Sequence, residues 1–72
     1  MNKEDLEYDI SIALDKWNEV ANFTLAGVDG LTKSDLDTLK VCCEYFDEHG
    51  TLRPLRYFSP KVKEVLAHYG ML

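Results

Sequence analysis

Apolar residues recur at steps of three and four along two long stretches of this chain. Only a backbone with a 3.6-residue turn stacks such steps on one side. In the first stretch they are Leu6, Ile10, Ala13, Leu14, Trp17, Val20 and Ala21, with Asp9, Lys16 and Glu19 off the stripe. The spacing predicts a helix over residues 3–24. Asn2 is a natural N-cap. Glu4, Asp5 and Glu7 fall in the first turns, where the helix dipole favours negative charge. Tyr8 and Ile12 form a second apolar strip, which points to contact with two neighbours. Gly27 is the expected stop.

Residues 26–31, AGVDGL, read as a short connection, and short connections make antiparallel helix neighbours. Thr32 is the expected N-cap of the second helix, with Asp35 in the capping-box position and Leu31 and Leu36 as a hydrophobic staple. Leu36, Leu39, Cys43 and Phe46 form its seam, flanked by Val41, Cys42 and Tyr45, and Gly50 is the expected left-handed cap. In the segment TLRPLRYF, Pro54 keeps Arg53 out of helical torsions. Its apolar residues predict a short strand or single helical turn lying across the helix ends. Ser59-Pro60 starts a third helix, lined by Val62, Val65, Leu66 and Tyr69 and ended by Gly70, with Met71 and Leu72 folding back. The expected architecture is a single all-α domain over residues 1–72. Two long antiparallel helices, 3–24 and 33–49, pack with a shorter C-terminal helix, 60–69. The expected core is Leu6, Ile10, Ala13, Leu14, Trp17 and Ala21 of the first helix, Leu36, Leu39, Cys43 and Phe46 of the second, Leu55, and Val62, Val65 and Leu66 of the third.

A chain of 72 residues buries only about 60 % of its unfolded surface, so a partner, metal or disulfide would assist it. Its hydrophobic fraction of 46 % excludes a disordered chain. No apolar run approaches the length of a membrane span, and the opening Asn2-Lys3-Glu4-Asp5 does not resemble a secretion signal. The reading is a soluble, cytoplasmic protein whose two cysteines need no partner. The net charge of −5 is segregated: residues 1–50 carry twelve acids against four lysines, while 51–72 carry four cations against Glu64. Such a layout suits docking to something basic.

The stretch LKVCCEYFDEHG concentrates groups with chemical potential. Adjacent helical residues diverge by about 100°, so Cys42 and Cys43 cannot grip one ion, and the spacing lacks the two-to-four-residue gap of local zinc ligands. Cys42 and His49 share a face but lie about 10 Å apart along the axis, beyond proton-transfer reach. Glu44, Asp47 and Glu48 would raise rather than lower a thiol pKa. The stretch reads as one helix with buried sulfur and a histidine near its C-terminus. Gly27-Val28-Asp29-Gly30 lacks the length and lysine of a phosphate loop.

The expectation is therefore a small non-enzymatic interaction module, with no cofactor, metal or small-molecule substrate. The leading version is a regulator or inhibitor of a basic, nucleic-acid-binding partner, in its narrowest form a phage-type anti-defence protein that mimics nucleic acid. Its partner-binding candidates are Glu4, Asp5, Glu7, Asp9, Asp15 and Glu19, joined by Asp35, Asp37, Glu44, Asp47 and Glu48 of the second helix, with Tyr8, Tyr45 and Tyr57 as aromatic anchors beside Arg53 and Arg56. The alternatives are a helix-turn-helix-like nucleic-acid binder using residues 53–63, or a homo-oligomeric structural protein. The overall negative charge disfavours direct nucleic-acid binding. The two-strip first helix leaves room for a homodimer.

Overall fold

The computed structural model describes residues 2–17 and 19–72. The chain runs α1 (Lys3–Lys16), β1 (Phe23–Leu25), β2 (Val28–Leu31), α2 (Lys33–His49), a 3₁₀ turn (Leu55–Tyr57) and α3 (Pro60–His68). The expected all-α fold is thereby corrected to a mixed one, three helices with a two-stranded antiparallel sheet.

Local capping chemistry fixes all three helix starts where the sequence places them. The Asn2 side chain accepts from Asp5 N–H at 3.0 Å while Asp5 Oδ2 accepts from Asn2 N–H at 3.1 Å. Thr32 and Asp35 repeat the same reciprocal pair at the start of α2, and Ser59 with Pro60 opens α3. Each cap satisfies backbone donors that the first turn leaves free. Gly50 closes α2 at φ 71°. Past α3, Gly70 N–H donates to Ala67 O and Met71 N–H to Leu66 O, a Schellman pair that turns Met71 back onto the core.

The predicted first helix runs eight residues too far. Asn22, Phe23 and Thr24 are weak helix formers, Phe23 and Thr24 favour strands, and the chain uses Phe23–Leu25 as β1. Ala26 and Gly27 both take positive φ, 51° and 78°, the combination a two-residue type I′ hairpin requires. The register then slips: Phe23 pairs with Leu31 but Leu25 with Val28, so Asp29 and Gly30 together oppose Thr24. This bulge, with Gly30 at φ 74°, lets Val28 and Leu31 both point inward although they stand an odd number of positions, three, apart. Thr24 Oγ1 donates to Asp29 Oδ1 across the strands, and Lys61 Nζ donates to Asp29 O, tying α3 to the bulge.

Phe23, Leu25, Val28 and Leu31 are all buried and join Leu6, Ile10, Leu36, Leu39, Cys43, Val62, Val65 and Leu66 in one core. β2 packs against both α2 and α3. Two expected core residues are displaced by the shortened helix. Trp17, its C-cap residue, is 53 % exposed, and Ala21 is exposed. Leu14 and Phe46 are partly buried, and the Leu55 side chain lies outside the described residues. Residues 51–58 close the core through Phe58, which is buried, and Leu52, which packs against it.

Candidate functional site

The acidic residues of α1 do not form one uniform face. Asp5 is spent on the N-cap. Asp9 accepts a hydrogen bond from the Tyr69 hydroxyl at 2.5 Å, which fastens α3 to α1. Glu7 lies 2.8 Å from Lys3 Nζ, and the same ammonium lies 2.7 Å from Asp47 at the far end of α2. These bonds, first to Asp47 and then to Glu7, hold the Lys3 pKa above its ordinary value. Glu4 stands 3.8 Å from Lys3 and is well exposed. Asp15 is exposed near the end of α1, and Glu19 lies beyond it.

Antiparallel packing of α1 on α2 leaves a groove of about 490 Å³ along one side. Ile10, Leu14 and Cys43 give it an apolar floor, and Glu7, Asp15, Glu44 and Asp47 stand along it with Lys40 and Ser11. Lys3 engages Glu7 and Asp47 at one end. Among the described residues, Asp15 and Glu44 have no ion-pair partner. The groove thus combines burial for an apolar side chain with unneutralised carboxylates, the two features that hold a cationic amphipathic segment. Glu44 and Asp47 belong to the acidic ladder read from sequence on the second helix, whereas Lys40 was not among the candidates. The signal for Lys40 was its place beside the Leu39–Cys43–Phe46 seam, which an antiparallel partner helix must border.

The sulfur-rich stretch carries little reactivity in the fold. Cys42 and Cys43 are both buried free thiols. Burial pushes the Cys42 thiol up, and burial with nearby Glu7 pushes Cys43 up to about 12. At neutral pH both stay protonated, the form that neither attacks nor ligates. Among the described residues no group of three or more His, Cys, Asp and Glu side chains is arranged to hold a metal ion. Among them too, no helix is long and apolar enough to cross a membrane.

A second surface lies on another flank of α2. His49 stacks on Tyr45 at 4.2 Å between centroids, and the Arg53 guanidinium lies 5.4 Å from the same ring. Arg56 lies 5.1 Å from the Tyr57 ring. Neither arginine is ion-paired among the described residues. Tyr57 is 61 % exposed, and with Arg53, Val41 and Phe58 it borders a shallow depression. The structure therefore brings Tyr45, Arg53, Arg56 and Tyr57 together and separates them from the α1 carboxylates. Tyr8 is 67 % exposed on α1, whereas Ile12 is partly buried, so the second strip seen in the sequence is open at Tyr8 alone. Trp17 and Val20 flank an apolar cleft between α1 and the hairpin.

No family model matches the chain, and no curated protein or solved structure is similar to it.

Proposed function

We propose that this chain is a small non-enzymatic interaction module whose α1/α2 groove docks a partner protein through a basic amphipathic segment. The observation that carries this reading is the groove itself: an apolar floor of Ile10, Leu14 and Cys43 beneath Glu7, Asp15, Glu44 and Asp47. An apolar anchor side chain gains from the floor, while lysines or arginines a turn away meet the carboxylates. The nucleic-acid-mimic version asks for a long row of free carboxylates. Asp5, Glu7 and Asp9 each have an internal partner, so groove docking is the version the geometry favours, whether the protein acts as a regulator or as an inhibitor. A cytoplasmic setting belongs to the same proposal, because a basic nucleic-acid-binding partner is found there and buried unpaired thiols are at home there.

The helix-turn-helix alternative draws less support. The connection between α2 and α3 spans residues 50–59 with its own 3₁₀ turn, longer than the motif's usual three or four residues.

The test is titration with a helical peptide that carries leucines on one face and arginines beside them, against a scrambled peptide of equal charge. Amide resonances of Ser11, Leu14 and Glu44 should shift with the patterned peptide alone, and Asp15→Arg with Glu44→Arg should abolish the shifts. Equal response to the scrambled peptide would mean that only net charge is being read.

A further inference from the structure

We propose that, in the absence of another partner, the groove takes a second copy of this chain, presented through its Arg53–Arg56–Tyr57 edge. This rests on the reading of the α1/α2 groove as a cleft for cationic segments.

Three observations converge. The first is chemical. In a chain with thirteen acids and eight lysines and arginines, Arg53 and Arg56 have no ion-pair partner among the described residues and instead lie against Tyr45 and Tyr57. Arg56 spends one N–H on the Tyr57 hydroxyl at 3.3 Å; stacking on a ring orients each guanidinium and leaves most of its five donors free for an acceptor outside the molecule. The second is spatial. Lys40, Cys43, Glu44 and Asp47 of α2 face the groove, whereas Ser34, Asp37, Thr38 and Val41 face the depression bordered by Arg53 and Tyr57. The acidic and basic surfaces therefore flank different sides of one helix, and complementarity between them is available to a neighbouring copy. The third is anatomical. Exposed Tyr57 against Arg56, with Arg53 bordering the same depression, is the aromatic–cation combination concentrated at interface hot spots, and the groove offers the matching apolar floor and the carboxylates of Asp15 and Glu44, unpaired among the described residues.

A phosphate backbone is the other ligand class that arginine and tyrosine recognise. The net charge of −5 works against it, because twelve of the thirteen acids lie in the first fifty residues and repel any long polyanion that reaches the edge. A carboxylate-lined groove on a protein surface presents the same acceptors without that extended charge.

Sedimentation equilibrium on the full chain, at millimolar concentration and in low and high salt, tests the proposal. The expected weight-average mass exceeds 8.3 kDa at low salt and returns to 8.3 kDa at high salt, since screening removes contacts between exposed charges. Arg53→Glu with Arg56→Glu, and separately Asp15→Arg with Glu44→Arg, should each make the chain monomeric with unchanged helical circular dichroism. The milder pair Arg53→Gln with Arg56→Gln should weaken association without a reversed charge. Equimolar mixing of the Arg53→Glu/Arg56→Glu protein with the Asp15→Arg/Glu44→Arg protein sets an acidic edge against a basic groove and a basic edge against an acidic groove, so the mixture should associate although each protein alone is monomeric, and a mixture that stays monomeric overturns the proposal. Combining all four reversals in one chain swaps both signs and should restore association. A monomer at low salt overturns the proposal, and so does a four-fold variant that stays monomeric while folded. Binding of a labelled single-stranded oligonucleotide that depends on Arg53 and Arg56, without self-association, overturns it in favour of nucleic acid. The patterned peptide separates this from the parent reading. If it binds the groove of a strictly monomeric parent, the groove stands and the second copy falls. If the parent self-associates through Asp15 and Glu44 and the peptide fails to bind at a dilution where the chain is monomeric, the second copy stands as the occupant of the groove and docking of a foreign basic segment falls.

Discussion

Replacing Tyr69 by Phe probes a side-chain bond that joins the two ends of the fold. Tyr69 is 2 % exposed and is the largest of the side chains the core encloses. Its hydroxyl donates to Asp9 Oδ2, so a residue just past α3 holds the middle of α1. Phe keeps the ring packing and deletes only the donor. A hydrogen bond to a charged group contributes about 1.5–3 kcal/mol. Asp9 is half-exposed, so water occupies the vacated lone pair, and the expected loss lies at the lower end, about 1.5 kcal/mol. With a urea slope of about 1 kcal/mol/M for a domain this small, the midpoint should fall by about 1.5 M, and Tm by roughly 6–12 °C. A double-mutant cycle with Asp9→Ala isolates the pair, and a coupling below about 0.5 kcal/mol refutes the bond as a tie between α1 and α3. The pH dependence adds an independent check. Burial first, and the bond to Asp9 second, push the Tyr69 phenol above its ordinary value of 10.0. The folded state then keeps a proton that the unfolded state releases, so this contribution is intact below pH 10 and falls as pH rises beyond it. The Phe variant should lose stability less steeply above pH 10 than the parent does.

Cys43, raised by burial to about 12 from 9.0, likewise stabilises the fold below pH 9 and less as pH climbs towards 12; urea melts across that window should flatten in Cys43→Ala, after its constant cavity cost is subtracted. Neither thiol should react with a bulky disulfide reagent until the protein unfolds. Ala26 sits at φ 51°, where an L-residue carries about 1 kcal/mol of strain; Ala26→Asn should raise stability by about 0.5–1 kcal/mol in the same melts, because asparagine tolerates that region. Trp17 is the sole tryptophan and is 53 % exposed, so its fluorescence should be that of a largely hydrated indole and shift little on unfolding. Leu39→Ala, at a fully buried position, should cost about 2–5 kcal/mol, while Trp17→Ala should leave the domain folded.

The helices were legible where local chemistry decides them. Asn2, Thr32 and Ser59 each bond to a backbone N–H within three residues, so no knowledge of the rest of the chain is needed to place them. The hairpin was hidden for a related reason. Leu25, Val28 and Leu31 stand at steps of three, the same spacing that marks a helix stripe, and only the bulge at Asp29-Gly30 makes that spacing serve one face of a sheet. Ala-Gly is also a poor advertisement for a type I′ turn, which usually displays Asn-Gly. The periodicity of Trp17, Val20 and Ala21 then continued the first helix on paper past Lys16, where the chain in fact leaves it.

That single misplacement explains why the candidate site changed shape. A helix over residues 3–24 would align Glu4 to Glu19 along one continuous acidic rod, and a rod invites comparison with a phosphate backbone. With α1 ending at Lys16, the relevant unit becomes a pair of helices. Lys3 binds Glu7 and Asp47 together, which converts isolated acidic positions on two segments into opposite walls of one groove. Sequence alone identifies the carboxylates but not which of them neutralise a lysine, cap a helix or hold a tyrosine. Those internal assignments decide which charges remain for a partner, and they leave Asp15 and Glu44 on the groove as the pair whose reversal is most informative: it removes the free negative charge and breaks no hydrogen bond or ion pair found among the described residues.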